Sequence, residues 1–397
     1  MKVKVWKLLG LALIAIFAFS SAHSVYGLGV IATIPVGNPG TYSPYDYGAA
    51  YDSVKGEVFV TNEGVATVSV ISDKTNTVVA TVPVRFSPGA IAYDSSKGEM
   101  FVANGGPSTT LGTVSVISDS TNAVVANVTV GTDPVGIAYD SNKGEIFVTN
   151  SGDIPPDVSV ISDSSDAVVA NISLGVTGYN PIAGIAYDSS NGEIFVAMQG
   201  LDTVSVISDS ANAVVATVDL QNGVGRGVAY GVAYDLGKSE IFVTNAGVNA
   251  VSVISATSNS VVANITVGNT PEGLAHDSYT GQIFVSNTVD GTVSIISDST
   301  NAVVDTVTVG NGPFGVAYDS GKDEIFVTNA GESTVSVISE GSGPSATTSP
   351  TSAASASPTV PEFSSAMLVS VGAAMVVVTL CATAIGRKKV ANTPKVT

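Results

Sequence analysis

The sequence predicts an all-β chain, a seven-bladed β-propeller of four-stranded blades, with a C-terminal transmembrane helix appended. Three observations carry this. Ala-Tyr-Asp ends at Asp52, Asp94, Asp140, Asp188, Asp235 and Asp319, and Ala-His-Asp at Asp277, with successive spacings of 42, 46, 48, 47, 42 and 42 residues. A repeat of that length containing four short apolar runs has the period of a propeller blade. The 397 residues include 41 Gly and 17 Pro and only 12% are charged, which suits many short strands joined by tight turns and excludes an all-helical protein.

Each segment follows in order along the chain. Lys2, Lys4 and Lys7, an apolar stretch over residues 8–19 and small residues near 20–27 predict a secretory signal peptide at 1–27. Residues 30–37 then read like the D strand at 79–84, whereas nothing of that type follows the last strand C near 334–339. The N-terminal strand is therefore expected to complete blade 7 within a propeller spanning 28–340, because an open ring would leave an unpaired edge. The third repeat shows the blade: strand A at 136–139, B at 145–150, C at 158–162 and D at 167–172, all β-branched and bounded by Asp, Asn, Ser and Gly. Residues 341–360 are almost entirely Ser, Thr, Ala, Pro and Gly and form a stalk. An uncharged apolar run over 363–386 is long enough to cross a bilayer, and Arg387, Lys388 and Lys389 act as a basic stop before a cytoplasmic tail at 390–397. The propeller is thereby expected at the cell surface, membrane-anchored and facing outward.

Two stretches carry family resemblances. Phe59-Val60-Thr61-Asn62, Phe147-Val148-Thr149-Asn150, Phe242-Val243-Thr244-Asn245 and Phe326-Val327-Thr328-Asn329 resemble the YVTN repeat of β-propeller proteins, with Phe in place of Tyr. Blades 2, 6 and 4 depart from it, with Ala103-Asn104, Ser286-Asn287 and Ala197-Met198. The resemblance implies a surface-layer or surface-antigen type of protein. Pro361, Glu362 and Phe363, followed by the apolar run and basic cluster, resemble the archaeal PEF sorting signal, which implies processing of the tail by an archaeosortase. The eight residues after the cluster depart from that pattern, and a plain single-span anchor stays open.

Composition narrows the function. With 15 basic against 33 acidic residues and a formal charge of -18, a phosphate-binding surface is excluded and no nucleic acid is expected. Only His23 and His276 are present, and Cys381, the single Cys, lies in the apolar run, so no disulfide and no thiol nucleophile belong to the propeller. No catalytic residue, metal site or cofactor is expected. The seven strand-B phenylalanines (Phe59, Phe101, Phe147, Phe195, Phe242, Phe284, Phe326) are expected to fill the space between blades. The motif aspartates either ring a cation or, as Asp commonly does, accept backbone N–H groups in their own A–B turns. His276, where six siblings carry Tyr, reads as a substituted structural position. Asn127, Asn171 and Asn264 open three sequons at one equivalent point of strand D and are glycosylation candidates.

Loop lengths separate two faces. The A–B and C–D turns keep one length, whereas every insertion falls in the D–A and B–C connections, at residues 36–50, 104–114, 150–158, 174–186 and 220–233. The inserted face is the expected binding face, with Tyr42, Tyr45, Asp46, Tyr47, Asp153, Tyr179, Asn180, Arg226 and Tyr230 as ligand-face candidates. The leading expectation is a non-enzymatic surface protein that binds or adheres to a surface protein, a glycan or its own copies through this face. The alternatives are a structural surface-layer tile, or a hydrolase or lyase of the lactonase type that similar seven-bladed propellers include. A tile would pack an acidic domain, with 32 acids against 8 bases over residues 28–360, and so would need cations or glycans between copies.

Overall fold

The computed structural model describes residues 28–37, 48–106, 110–178, 181–220 and 228–340. The leader, the stalk, Pro361-Glu362-Phe363 and the C-terminal apolar run lie outside these. Among the described residues no helix is long and apolar enough to cross a membrane.

The described chain forms seven four-stranded antiparallel sheets. Six are consecutive A-B-C-D meanders, as in blade 3, with strands Pro134–Asp140, Glu145–Asn150, Asp157–Ser162 and Ala167–Ser173. The seventh is completed from the other end of the chain. Strand Leu28–Pro35 pairs antiparallel with Thr334–Glu340, in a register running from Leu28 opposite Glu340 to Pro35 opposite Thr334. This is the expected closure, and it leaves no blade short of an outer strand.

Strand B is buried on both faces because it lies second from the channel with a blade on either side. Its Phe side chains are at most 2% exposed, and each packs into a cluster shared with the next blade. Phe59 joins Val68 and Val70 of its own blade to Ile91, Met100 and Val102 of blade 2, and Phe326 joins Val335 and Val337 to Val58 and Val60 of blade 1. Burying one such side chain contributes about 1.5–3 kcal/mol. The core is thus a ring of seven inter-blade layers, with the first and last blades in contact.

Two backbone patterns fix the faces. On one, the C–D turn leans on the A–B turn, as where Asp163 N donates to Gly144 O at 3.0 Å. On the other, the B–C connection leans on the D–A connection, as where Ser151 N donates to Asp133 O at 3.0 Å. In the A–B turns the motif Asp plays the turn role: Asp140 Oδ1 accepts from Asn142 N at 2.9 Å and Lys143 N at 3.2 Å. The same capture recurs at Asp52, Asp94, Asp188, Asp235, Asp277 and Asp319.

Candidate binding site

Strand A lines the central channel, and its first residues set how closely the blades approach. Four residues before the motif Asp stands Gly48, Gly136, Gly184, Gly231, Gly273 or Gly315, with Ala90 in blade 2. Gly136 N donates to Thr149 Oγ1 at 2.7 Å, and that hydroxyl donates onward to Ala183 O of the next blade at 3.0 Å. Thr61, Thr244 and Ser286 make the same relay, ending on Gly89 O at 2.8 Å, Glu272 O at 2.8 Å and Phe314 O at 2.6 Å. Blade 4 has Ala197 and therefore no hydroxyl, and there Gly184 N donates directly to Tyr230 O at 2.8 Å. Glycine is required by this approach: a Cβ at Gly136 would stand 2.5 Å from Ala183 O. Thr61, Thr149 and Thr244 of the Phe-Val-Thr-Asn runs are thus stitches between blades.

The Asn of the same run ties strands within a blade. Asn150 Nδ2 donates to Ser159 Oγ at 2.9 Å, and Ser159 Oγ donates to Asn171 Oδ1 at 2.9 Å. The sequon asparagines of strand D end this chain: Asn127 and Asn264 accept likewise from Ser115 at 2.9 Å and Ser252 at 2.6 Å. All three are exposed.

A cavity of about 480 Å³ opens at the channel end that carries the D–A and B–C connections. Its wall includes the residues five before the motif Asp: Gly89, Val135, Ala183, Tyr230, Glu272 and Phe314. Blades 2 to 4 thus contribute small side chains and blades 5 to 7 large ones, so the seven-fold ring is lopsided where a ligand would enter. The Tyr230 and Phe314 rings meet edge to face, centroids 5.5 Å apart at 89°, a geometry favoured by the ring quadrupoles.

The charged groups of the lining are carboxylates. Burial pushes the Glu272 carboxyl above its ordinary range, partly offset by Thr288, whose hydroxyl donates to Oε2 at 2.8 Å. Burial, and then the charge of Glu63, likewise raise the Asp133 carboxyl. Gln199 and Ser151 complete the polar lining, and no basic side chain of the described residues takes part. Aromatic rings beside acceptors in a half-dry recess suit a neutral or cationic ligand with hydroxyl or ammonium donors.

Of the ligand-face candidates, Tyr230 lines this cavity. Asp153 is half-buried outside it, its Oδ1 accepting from Thr132 N at 3.1 Å, and braces the B–C connection against the D–A connection. Tyr42, Tyr45, Asp46, Tyr47, Tyr179, Asn180 and Arg226 lie outside the described residues. Loop length alone misses Asp133, Glu272 and Phe314, which sit in connections without insertions. Aligning the seven repeats on the motif Asp and reading the column five residues earlier would have found two of them, since that column runs from Gly89 to Glu272 and Phe314.

The opposite face is closed by ties between blades. Lys55, Lys97, Lys143, Lys238 and Lys322, each three residues after a motif Asp, donate to the backbone carbonyl of Asp119, Asp163, Asp209, Asp298 and Asp73 in the next blade's C–D turn. Beside each tie the strand-A side chain of that next blade lies against the preceding motif Asp. Tyr93 does so with Asp52 and Tyr187 with Asp140, and burial followed by these carboxylates raises both phenols. Blade 6 offers His276 instead, its Nε2 at 3.4 Å from Asp235 Oδ1.

No protein-family model matches this chain, and no curated protein sequence does. Among solved structures, the chain is similar to Kuenenia stuttgartiensis hydrazine synthase, with a TM-score of 0.65 and 18% identity over 75% of this chain and 96% of that one. At that identity the likeness shows the β-propeller fold alone, and a fold so widely reused assigns no chemistry.

Proposed function

We propose that this chain is a non-enzymatic cell-surface propeller that binds a protein or glycan through the face carrying the inserted connections. The observation that carries the reading is the lopsided cavity on that face, with Tyr230, Phe314 and Glu272 on one side and Gly89, Val135 and Ala183 on the other. The same face exposes Phe86, Leu111, Ile154, Leu201 and Val289, from 44% to 69%, and exposed apolar residues beside a polar recess are a recognition feature. His276 stands at the far end of strand A from this cavity. A lactonase-type hydrolase or lyase would therefore have to work with carboxylates and whatever Arg226 adds. The YVTN-like runs, the signal peptide, the stalk and the PEF-like tail support display outside the cell.

A second reading, a surface-layer tile, is favoured by the perimeter. Each outer strand carries at mid-length an aliphatic side chain that is 48–55% exposed: Ile31, Val79, Val125, Val169, Val215, Val262 and Val304. A photo-crosslinking residue placed at Phe86, Tyr179 or Tyr230, with Ser141 on the uniform face as control, separates the readings in intact cells. Capture of one distinct protein or glycan from the first three positions alone is the expected result. Capture of the protein's own copies favours the tile, and equal capture from Ser141 overturns the binding-face assignment.

A further inference from the structure

We infer that the junction between blades 5 and 6 is a binding site for a divalent transition-metal ion of the zinc class, held by Asp235, His276 and Asp298 with water completing the shell. The argument starts from the repeats, which act as internal controls. At the other six junctions a tyrosine from strand A lies against the motif Asp of the preceding blade. At this one the phenol is replaced by an imidazole, the only one among the described residues.

The replacement does not restore the lost contact. His276 Nε2 is 3.4 Å from Asp235 Oδ1 and has no hydrogen-bond partner, though its side chain is only 10% exposed. Asp235 is fully buried: its Oδ1 accepts from Gly237 N at 2.8 Å, and its Oδ2 has no partner, as is also true of Asp52, Asp94, Asp140 and Asp319 at sibling junctions. A nearly buried imidazole nitrogen without a bond carries a desolvation cost that something must offset. A separation of 3.4 Å is long for an N–H···O bond, whose donor and acceptor stand about 2.7–3.2 Å apart. It matches two ligands on one tetrahedral zinc, since bonds of about 2.0–2.2 Å place neighbouring donor atoms roughly 3.4 Å apart.

A third donor is in place. One carboxylate oxygen of Asp298, in the C–D turn of blade 6, lies within 4.8 Å of the donor atoms of the other two residues. Two carboxylates and one imidazole are a ligand set for zinc, manganese, cobalt or nickel, and with no sulfur they do not select soft ions. Lys238 Nζ is 3.6 Å from Asp298 Oδ1 and opposes a cation. It weakens the site without occupying it, because its hydrogen bond goes to the Asp298 carbonyl.

The test uses the full chain, purified without a histidine tag and stripped with a chelator. Adding zinc is expected to raise the melting temperature progressively with concentration, and cobalt is expected to give a visible d–d absorption band. Both effects should vanish in His276→Tyr, which installs the residue of the sibling blades, and weaken in the turn variant Asp298→Asn. An equal zinc response in His276→Tyr, an equal response to magnesium, or no response in the parent would each overturn the site.

Discussion

At the scale of single residues, the strand-B threonine does two jobs with one hydroxyl. Thr149 accepts from the channel glycine and donates to the neighbouring blade, so removing its hydroxyl while keeping its shape leaves a buried N–H and a buried carbonyl unpaired together. Thr149→Val is expected to cost about 1–3 kcal/mol in chemical denaturation, and a loss under about 0.5 kcal/mol would mean that the relay carries no net energy. Ala197 does not contradict this, because in blade 4 the backbone closes the gap directly. The sequence shows the recurrence of Phe, Thr and Asn but not what the last two do, since a relay across blades needs the distance between chains and not the spacing along one. The Asp of Ala-Tyr-Asp was legible, because an Asx turn is local and its partners lie two and three residues on.

At the scale of the element, the A–B and C–D turns vary together across blades. Five C–D turns carry an Asp: Asp73, Asp119, Asp163, Asp209 and Asp298. Each faces a glycine of its own blade with positive φ, as Gly56 at +68°, where an added Cβ would stand 2.5 Å from Asp73 Oδ2. Each also receives the lysine of the preceding blade. Blades 5 and 7 have Ala256 and Glu340 at that point, their glycines become Ser239 and Asp323, and the preceding lysines become Asn191 and Thr280. Three positions in two blades thus change as a set. Transplanting the set to the blade 4–5 junction tests the reading. In a Ser239→Gly background, Asn191→Lys and Ala256→Asp together are expected to stabilise by about 0.5–1 kcal/mol beyond the sum of the single changes, the size of a partly exposed pair. Additive behaviour in that double-mutant cycle would show that the lysine only covers the turn. Strand identity and ring closure were legible at this scale because alternation, turn residues and the orphan N-terminal strand are all written locally. The cavity was only half legible: insertions fall at the end of the channel where it opens, while its wall is built from equal-length connections whose convergence depends on the closed ring.

At the scale of the molecule, the ring repeats one electrostatic cost. Strand B opens with Glu57, Glu99, Glu145, Glu193, Glu240 or Glu324 in six blades and Gln282 in blade 6. Each of the six carboxyls has a buried oxygen without a hydrogen-bond partner, and in each desolvation is the first cause lifting its pKa. The sign follows from linkage. A folded-state pKa raised above the unfolded value means that the native protein holds the proton more tightly. The stabilising contribution is therefore complete below the ordinary Glu value of about 4.3 and is lost as pH rises through the raised one. Melting temperature is thus expected to climb as pH falls from neutrality toward the ordinary Glu range. Repulsion within an acidic propeller pushes in the same direction, but salt screens it beyond about 8 Å at 0.15 M while leaving desolvation in place. The rise should therefore survive added salt. Blade 6 supplies the decisive variant, because its glutamine keeps the shape and removes the charge. Glu145→Gln is expected to raise stability at pH 7.5 and to flatten the pH profile by one blade's share, whereas a profile unchanged by that substitution would move the cost of the fold away from this ring of carboxylates.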